Sequence, residues 1–151
     1  MRLAAALLFL AWRVNAASAL LETRGEAHVG QIHFFDFRPD SARGWNVRRA
    51  SLLLHIQSGA VPKFVDLRAA GRKWNESDAA GSVKGLEKRR RFRVTSVEKN
   101  WIRVEVDPKW IERMADGTAF GIAIEEKTTR FDGRRPVQSA PYLLVEGSPR
   151  R

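Results

Sequence analysis

The chain has 151 residues, of which 44% are hydrophobic, and 27 lysines and arginines against 17 acidic residues give it a formal charge of +10. This length suits one domain with a single core and leaves no room for a second. The absence of cysteine excludes disulfides and thiolate metal sites, so the core alone must stabilise the fold.

The N-terminus has the pattern of a secretory signal peptide. Arg2 precedes the apolar run Leu3–Trp12, and small residues follow at Ala17-Ser18-Ala19. The run is shorter than the roughly 20 residues that a membrane-spanning helix needs. We therefore predict a signal peptide over residues 1–19, no transmembrane segment, and a secreted, periplasmic or cell-surface location. Cleavage after Ala16 is the alternative to cleavage after Ala19, and an N-terminal helix or strand of the fold is the alternative to a signal.

Short apolar runs bounded by turn residues predict strands along the rest of the chain. Residues 20–30 are mixed in character and predict only a lead-in, and residues 69–88 predict a long surface loop. The predicted strands are Gln31–Phe37, Ala50–Ile56, Val61–Leu67, Trp101–Val106, Phe120–Glu126 and Pro141–Val145. The connection Ser58-Gly59-Ala60 has hairpin length, so we expect the second and third strands to pair antiparallel.

The segment from Trp101 to Gly117 combines an alternating strand with a helix. Ile102, Val104 and Val106 are placed to face the core, opposite Trp101, Arg103 and Glu105. Asp107-Pro108 is a helix start, Asp116-Gly117 is a helix end, and Trp110, Ile111 and Met114 share one face between them. The predicted fold is therefore all-β, a jelly-roll-like antiparallel β-sandwich with one short helix, forming a single domain over residues 20–151 with its core at about 31–147.

Several stretches match a known family in order and residue type. They are Arg49-Ala50-Ser51-Leu52-Leu53-Leu54, Trp74-Asn75-Glu76, the strand and helix from Trp101 to Gly117, Phe120-Gly121-Ile122-Ala123-Ile124, and Ala140-Pro141-Tyr142-Leu143-Leu144-Val145. Together they resemble the DNRLRE (disaggregatase-related) family of secreted β-sandwich modules, some of which are classed as carbohydrate-binding modules. The resemblance implies a sandwich fold and polysaccharide binding, although the family's opening strand has no counterpart in residues 20–30.

Two kinds of residue are candidates for ligand binding. A basic cluster comprises Lys84, Lys88, Arg89, Arg90, Arg91 and Arg93. Its positive potential would attract polyanions, or its charges would protect an edge strand from aggregation. Tryptophan beside arginine and glutamate can stack on a sugar ring, or it can pack against a covered face. The predicted ligand-binding residues are Trp101, Arg103, Glu105, Trp74, Arg89 and Arg91.

No catalytic residue, cofactor or metal site is predicted. His33 and His55 could be neighbours on paired strands, but the sequence supplies no third ligand at metal-binding spacing. Phosphate-loop, H-E-x-x-H and G-x-S-x-G motifs are absent. The predicted function is a non-catalytic secreted module that binds polysaccharide, preferably an acidic glycan.

Three other functions stay open at this point. The main alternative is a structural or assembly domain of an exported or cell-surface complex, joined to a protein partner through an edge strand. A small hydrolase would need two carboxylates close together. A nucleic-acid partner is not expected, because it would require an uncleaved chain in the cytoplasm.

Overall fold

The computed structural model of the chain describes residues 17–151, and within them the fold is mostly antiparallel β-strand. The nine strands are β1 (Ala17–Val29), β2 (Ile32–Phe37), β3 (Trp45–Gly59), β4 (Phe64–Ala69), β5 (Arg90–Glu98), β6 (Trp101–Val106), β7 (Ile122–Glu125), β8 (Thr129–Phe131) and β9 (Tyr142–Pro149). The α-helices are α1 (Ala79–Ser82) and α2 (Pro108–Asp116). Single 3-10 turns lie at Asp40–Ala42, Glu76–Asp78, Val83–Gly85 and Val137–Ser139.

Eight of these strands close into a barrel. Their order is β6-β5-β4-β7-β2-β1-β9-β3, and a further pairing of β3 with β6 joins the two ends. The short β8 lies outside the ring and pairs with the end of β3. The predicted all-β, antiparallel fold with a short helix is confirmed. The sheet, however, closes on itself in place of the two separate sheets of the predicted jelly-roll-like sandwich.

Two strands change their pairing partner part-way along their length. The first half of β1 pairs with β9 and the second half with β2, and the register shifts between Thr23 and Gly25. Likewise β5 pairs first with β4 and then with β6, with a shift between Val94 and Ser96. Such irregularities bend a strand and increase its twist, which allows one sheet to curl and close.

The N-terminal strand corrects the expectation of a lead-in over residues 20–30. Ala17, Ser18 and Ala19 already belong to β1 and pair with Gly147, Glu146 and Val145. Cleavage after Ala16 would leave this strand whole, whereas cleavage after Ala19 would remove its first three residues. The rest of the predicted signal peptide, residues 1–16, lies outside the described residues.

The expected hairpin between the second and third predicted strands is wrong. β3 lies between β9 and β6, whereas β4 lies between β5 and β7. Gly59, at the end of β3, has a φ of +96° and lies against the backbone of Thr128. A Cβ added to Gly59 would lie 2.2 Å from the carbonyl oxygen of Thr128. The glycine thus serves close packing of two chain segments rather than a tight reversal.

The barrel core includes the three residues of β6 that the alternation placed inside. Ile102 and Val104 are fully buried, and Val106 is 5% exposed, as predicted for β6. Leu52, Leu54, Leu67, Ile122, Ile124, Leu143 and Val145 join them from the other strands. Burial of this main apolar cluster stabilises the fold, which has no cysteines to form disulfides.

Helix α2 forms as its end signals predict. A carboxylate oxygen of Asp107 accepts a hydrogen bond from the backbone N–H of Lys109 at 2.9 Å, and Gly117 ends the helix at a φ of +78°. Trp110, Ile111 and Met114 are buried in the core cluster, so the helix packs its apolar face into the core and against β3. Among the residues described, no helix has the length and apolar character needed to cross a membrane.

The predicted surface loop over residues 69–88 contains α1 and two of the short turns. It also covers part of the outer surface of the barrel. Trp74, Val83 and Leu86 pack there against Phe34 and Ala123, which form a small second apolar cluster with Ala27. The loop is therefore a packed element whose position fixes Trp74.

Candidate functional site

The six predicted ligand-binding residues do not meet at one place. Trp101, Arg103 and Glu105 lie along the outer side of β6, in register with His55, Leu53 and Ser51 of β3. Arg89 precedes β5 and Arg91 lies on it, where it pairs in register with Asp66 of β4. Trp74 lies in the loop that covers another part of the barrel.

Trp101 lies in the wall of a groove on the outer surface. Its indole is partly exposed and meets two rings edge-on, with centroid distances of 5.1 Å to His55 and 5.5 Å to Tyr142. The groove has a volume of about 440 Å³ and lies between this surface and the segment 134–141. Trp101, Tyr142, Leu20 and Val137 supply its apolar lining.

Three arginines line the same groove, and the sequence analysis did not identify them. They are Arg38, which follows β2, and Arg134 and Arg135, which precede the turn Val137–Ser139. All three are exposed, and none forms an ion pair with a carboxylate within residues 17–151. Their donors are therefore available to an anion from solution.

Arg103 and Glu105, the other two residues predicted beside Trp101, already form hydrogen bonds with neighbouring side chains. The Nε of Arg103 donates to the hydroxyl of Ser51 at 3.0 Å. The guanidinium of Arg49 donates twice to Oε1 of Glu105, once from Nε at 2.8 Å. Glu105 would have to give up this ion pair to bind a sugar hydroxyl, so its role in a ligand site remains a prediction.

Three of the six residues of the predicted basic cluster are paired with carboxylates. Arg89 pairs with Glu125 at 3.2 Å, Arg90 with Asp107 at 2.9 Å, and Arg91 with Asp66 at 3.1 Å. The hydrogen bond from Arg91 lowers the pKa of the buried Asp66 carboxyl, and Lys127 reinforces this effect against the opposing influence of burial. The cluster therefore offers fewer free donors than its sequence suggests, and its paired charges suit an exposed strand surface.

Trp74 packs more as part of the fold than as an open platform. Its ring lies 5.3 Å from that of Phe34, and its indole N–H donates to the carbonyl oxygen of Phe120 at 2.6 Å. A depression of about 320 Å³ opens beside it, between Arg24, Asp36 and Lys73. Arg24 and Asp36 are paired at 2.6 Å, so this depression has less free charge than the groove at Trp101.

A second group of functional side chains comes from β1, β2 and the residue that follows β7, and the sequence analysis missed it. His33 is fully buried, and its Nε2 lies 2.8 Å from a carboxylate oxygen of Glu26. The ring of His28 lies 3.6 Å from that of His33, and its Nε2 lies 3.2 Å from Glu126. The partner of His33 in register is thus His28, whereas His55, which the sequence left as a possible neighbour, lies on a strand that does not pair with β2.

Glu126 supplies a buried negative charge to this group. Its Oε2 accepts a hydrogen bond from the backbone N–H of Phe131 at 2.7 Å, and its Oε1 lies 3.2 Å from Nε2 of His28. The sequence feature that could have revealed this group is the spacing of His28 and His33 on either side of Gly30-Gln31. A two-residue turn there makes the two histidines cross-strand partners.

No model of a known protein family matches the chain, and no curated protein matches it.

Proposed function

We propose that this protein is an exported, non-catalytic module that binds anionic polysaccharide in the groove at Trp101. The observation that carries the proposal is the combination of two aromatic rings, Trp101 and Tyr142, with arginines that have no carboxylate partner in residues 17–151. The groove volume of about 440 Å³ falls within the range of roughly 300–1,000 Å³ that is common for ligand sites. The resemblance to DNRLRE modules agrees with this function.

The binding chemistry follows from the side chains. The apolar C–H face of a sugar ring can lie against the indole of Trp101. Guanidinium groups of Arg134 and Arg135 can donate paired hydrogen bonds to a carboxylate or sulfate on the same chain. This assigns the ionic contacts to groove arginines, in place of the predicted Arg89 and Arg91, which already have acidic partners.

Two features favour this function over the alternatives. Within residues 17–151, eight strands form a closed ring, so strand addition by an assembly partner is confined to β8 and to the halves of β1 and β5 that pair on one side. Glu22 is the one carboxylate among the residues that line the groove, whereas glycoside cleavage commonly uses two. The first observation argues against assembly through a long edge strand, and the second supports binding without bond cleavage.

The test is a titration of the full chain with polygalacturonate and with dextran, as acidic and neutral polymers, at low and high salt. We expect binding to polygalacturonate that weakens steeply with salt, because exposed charges are screened. Trp101→Ala and the double variant Arg134→Gln/Arg135→Gln should each weaken it by about tenfold or more, equivalent to about 1.4 kcal/mol.

A matched control separates groove binding from a general effect of net charge. Arg48→Gln/Arg130→Gln removes the same two charges from exposed positions that line neither the groove nor the basic cluster. Equal loss in both double variants would show that polygalacturonate is attracted by overall charge alone. No binding to either polymer would move the assignment to the assembly domain.

A further inference from the structure

The group around His33 brings ligand atoms from separate segments to one place. Glu26 and His28 come from β1, His33 from β2, and Glu126 follows β7. One ligand atom each from Glu26, His28 and His33 lie within 4.8 Å of one another. Two imidazoles and a carboxylate at this separation form a compact nitrogen and oxygen donor set of the kind that holds transition metals.

His33 has a hydrogen-bonding defect that a cation would remove. With its proton on Nε2, the ring donates to Glu26, and Nδ1 then presents a lone pair toward Oε2 of Glu126 at 3.4 Å. Nδ1 is buried and makes no hydrogen bond in the described structure. A buried polar atom without a partner is costly, and here it faces an electron-rich oxygen.

We propose that Glu26, His28 and His33 bind a divalent transition-metal ion, with Glu126 as the carboxylate that orients His33. When Nε2 of His33 binds the metal, the ring proton must lie on Nδ1. Nδ1–H can then donate to Glu126, which is the usual arrangement of carboxylate, histidine and metal. The atom that lacks a partner thus gains one when the ion binds.

The surroundings of the group fit this role. His28 has a side chain that is 52% exposed, so an ion can reach the site from solvent. On another side lies Gly133, where an added Cβ would be 2.1 Å from Oε2 of Glu26, so the glycine leaves space for the carboxylate. Two histidines and one carboxylate, with remaining positions for water, favour Zn²⁺ and related ions over Ca²⁺ and Mg²⁺, which prefer oxygen ligands.

The test measures Zn²⁺ binding to the full chain without a histidine tag, by calorimetry and by the shift in melting temperature, with Ca²⁺ and Mg²⁺ as comparison ions. We expect one Zn²⁺ per chain. Co²⁺ in its place should give visible absorption bands from nitrogen and oxygen ligation. His28→Ala should weaken Zn²⁺ binding by more than about tenfold, since even an orienting partner typically contributes that much.

Two further variants keep the test decisive. Glu26→Gln removes a ligand charge with almost no change in shape and should reduce affinity in the same way. His55→Gln changes the third histidine, which contacts Asp132 outside the group, and should leave Zn²⁺ affinity unchanged. Absence of Zn²⁺ binding by the native chain, or equal affinity in native, His28→Ala and Glu26→Gln proteins, would overturn the proposal.

Discussion

The rings of Trp101 and Tyr142 meet edge to face across strand β3, with 5.5 Å between their centroids. Trp101 comes from β6 and Tyr142 from β9, and each strand pairs with β3 over at least six residues. Both rings are therefore held by the barrel rather than by a loop. A rigid aromatic surface loses little conformational freedom on binding, which favours a ligand that stacks on it.

Truncation of Leu52 should destabilise the barrel strongly. Leu52 is fully buried on β3, in register with Val104 on one side and Leu143 on the other. Leu52→Ala removes buried methyl groups and leaves a cavity, which typically costs about 2–5 kcal/mol. Leu20→Ala, at a position that is 50% exposed, is the matched control and should change the free energy of unfolding by less than about 0.5 kcal/mol. Denaturant melts of the two variants should differ accordingly, and equal midpoints would contradict the assigned core.

Gly121 should tolerate alanine much less than Gly44. Both have positive φ, +114° and +76°, but an added Cβ at Gly121 would lie 2.1 Å from the carbonyl oxygen of Phe35, whereas Gly44 has nothing within 4 Å. Gly44→Ala should cost about 1–2 kcal/mol from backbone conformation alone. Gly121→Ala must also displace β2, so the melting temperature of this variant should fall further than that of Gly44→Ala. A smaller fall for Gly121→Ala would contradict the close approach of Gly121 to Phe35.

The start of α2 can be tested with two substitutions at one position. Asp107 accepts from the backbone N–H of Lys109 and also pairs with Arg90 at 2.9 Å. Asp107→Ala removes both contacts and should cost about 1 kcal/mol. Asp107→Asn keeps a capping oxygen and loses only the exposed ion pair, so it should cost a few tenths of a kcal/mol. Similar losses in both variants would show that the ion pair, and not the cap, stabilises the helix start.

Acid should remove the stabilisation that Asp66 provides. The hydrogen bond from Arg91 lowers the pKa of Asp66 below the value of about 3.9 expected in an unfolded chain. The contribution is therefore fully present above about pH 4 and is lost as pH falls through the lowered pKa. Urea midpoints of native protein and Asp66→Asn should differ at pH 7 and converge at low pH. A difference that is constant across this range would contradict the ionised pairing.

The local features of the fold could be predicted because their causes are local. The alternation around Ile102 and Val104 identified a strand and its inner side, and Asp107 and Gly117 marked the ends of a helix. β1 was missed because only Leu21 and Ala27 are buried apolar residues along its 13 positions. Its place in the barrel depends on pairing with β9, more than 100 residues away, which no local pattern encodes.

In the candidate sites too, features with local causes could be predicted and features that depend on distant contacts could not. Alternation placed Trp101 on the outer side of its strand, where the structure has it lining a groove. Arg134 and Arg135 reach that groove through a segment far along the chain, while the partners of Arg89 and Arg91 come from β7 and β4. Whether an arginine has a carboxylate partner depends on such distant contacts. The density of positive charge in the sequence cannot show them, so it led to the prediction of Arg89 and Arg91, which are paired.

The most direct test of polysaccharide binding is a ¹H–¹⁵N spectrum of the indole N–H groups, recorded while polygalacturonate oligomers are added. The chain has five tryptophans, so each indole can be assigned by substitution. We predict that the Trp101 signal shifts progressively while the signals of Trp74 and Trp110 stay in place. Binding that moves Trp74 and leaves Trp101 unchanged would contradict the groove assignment, and no shift at saturating oligomer would contradict the function.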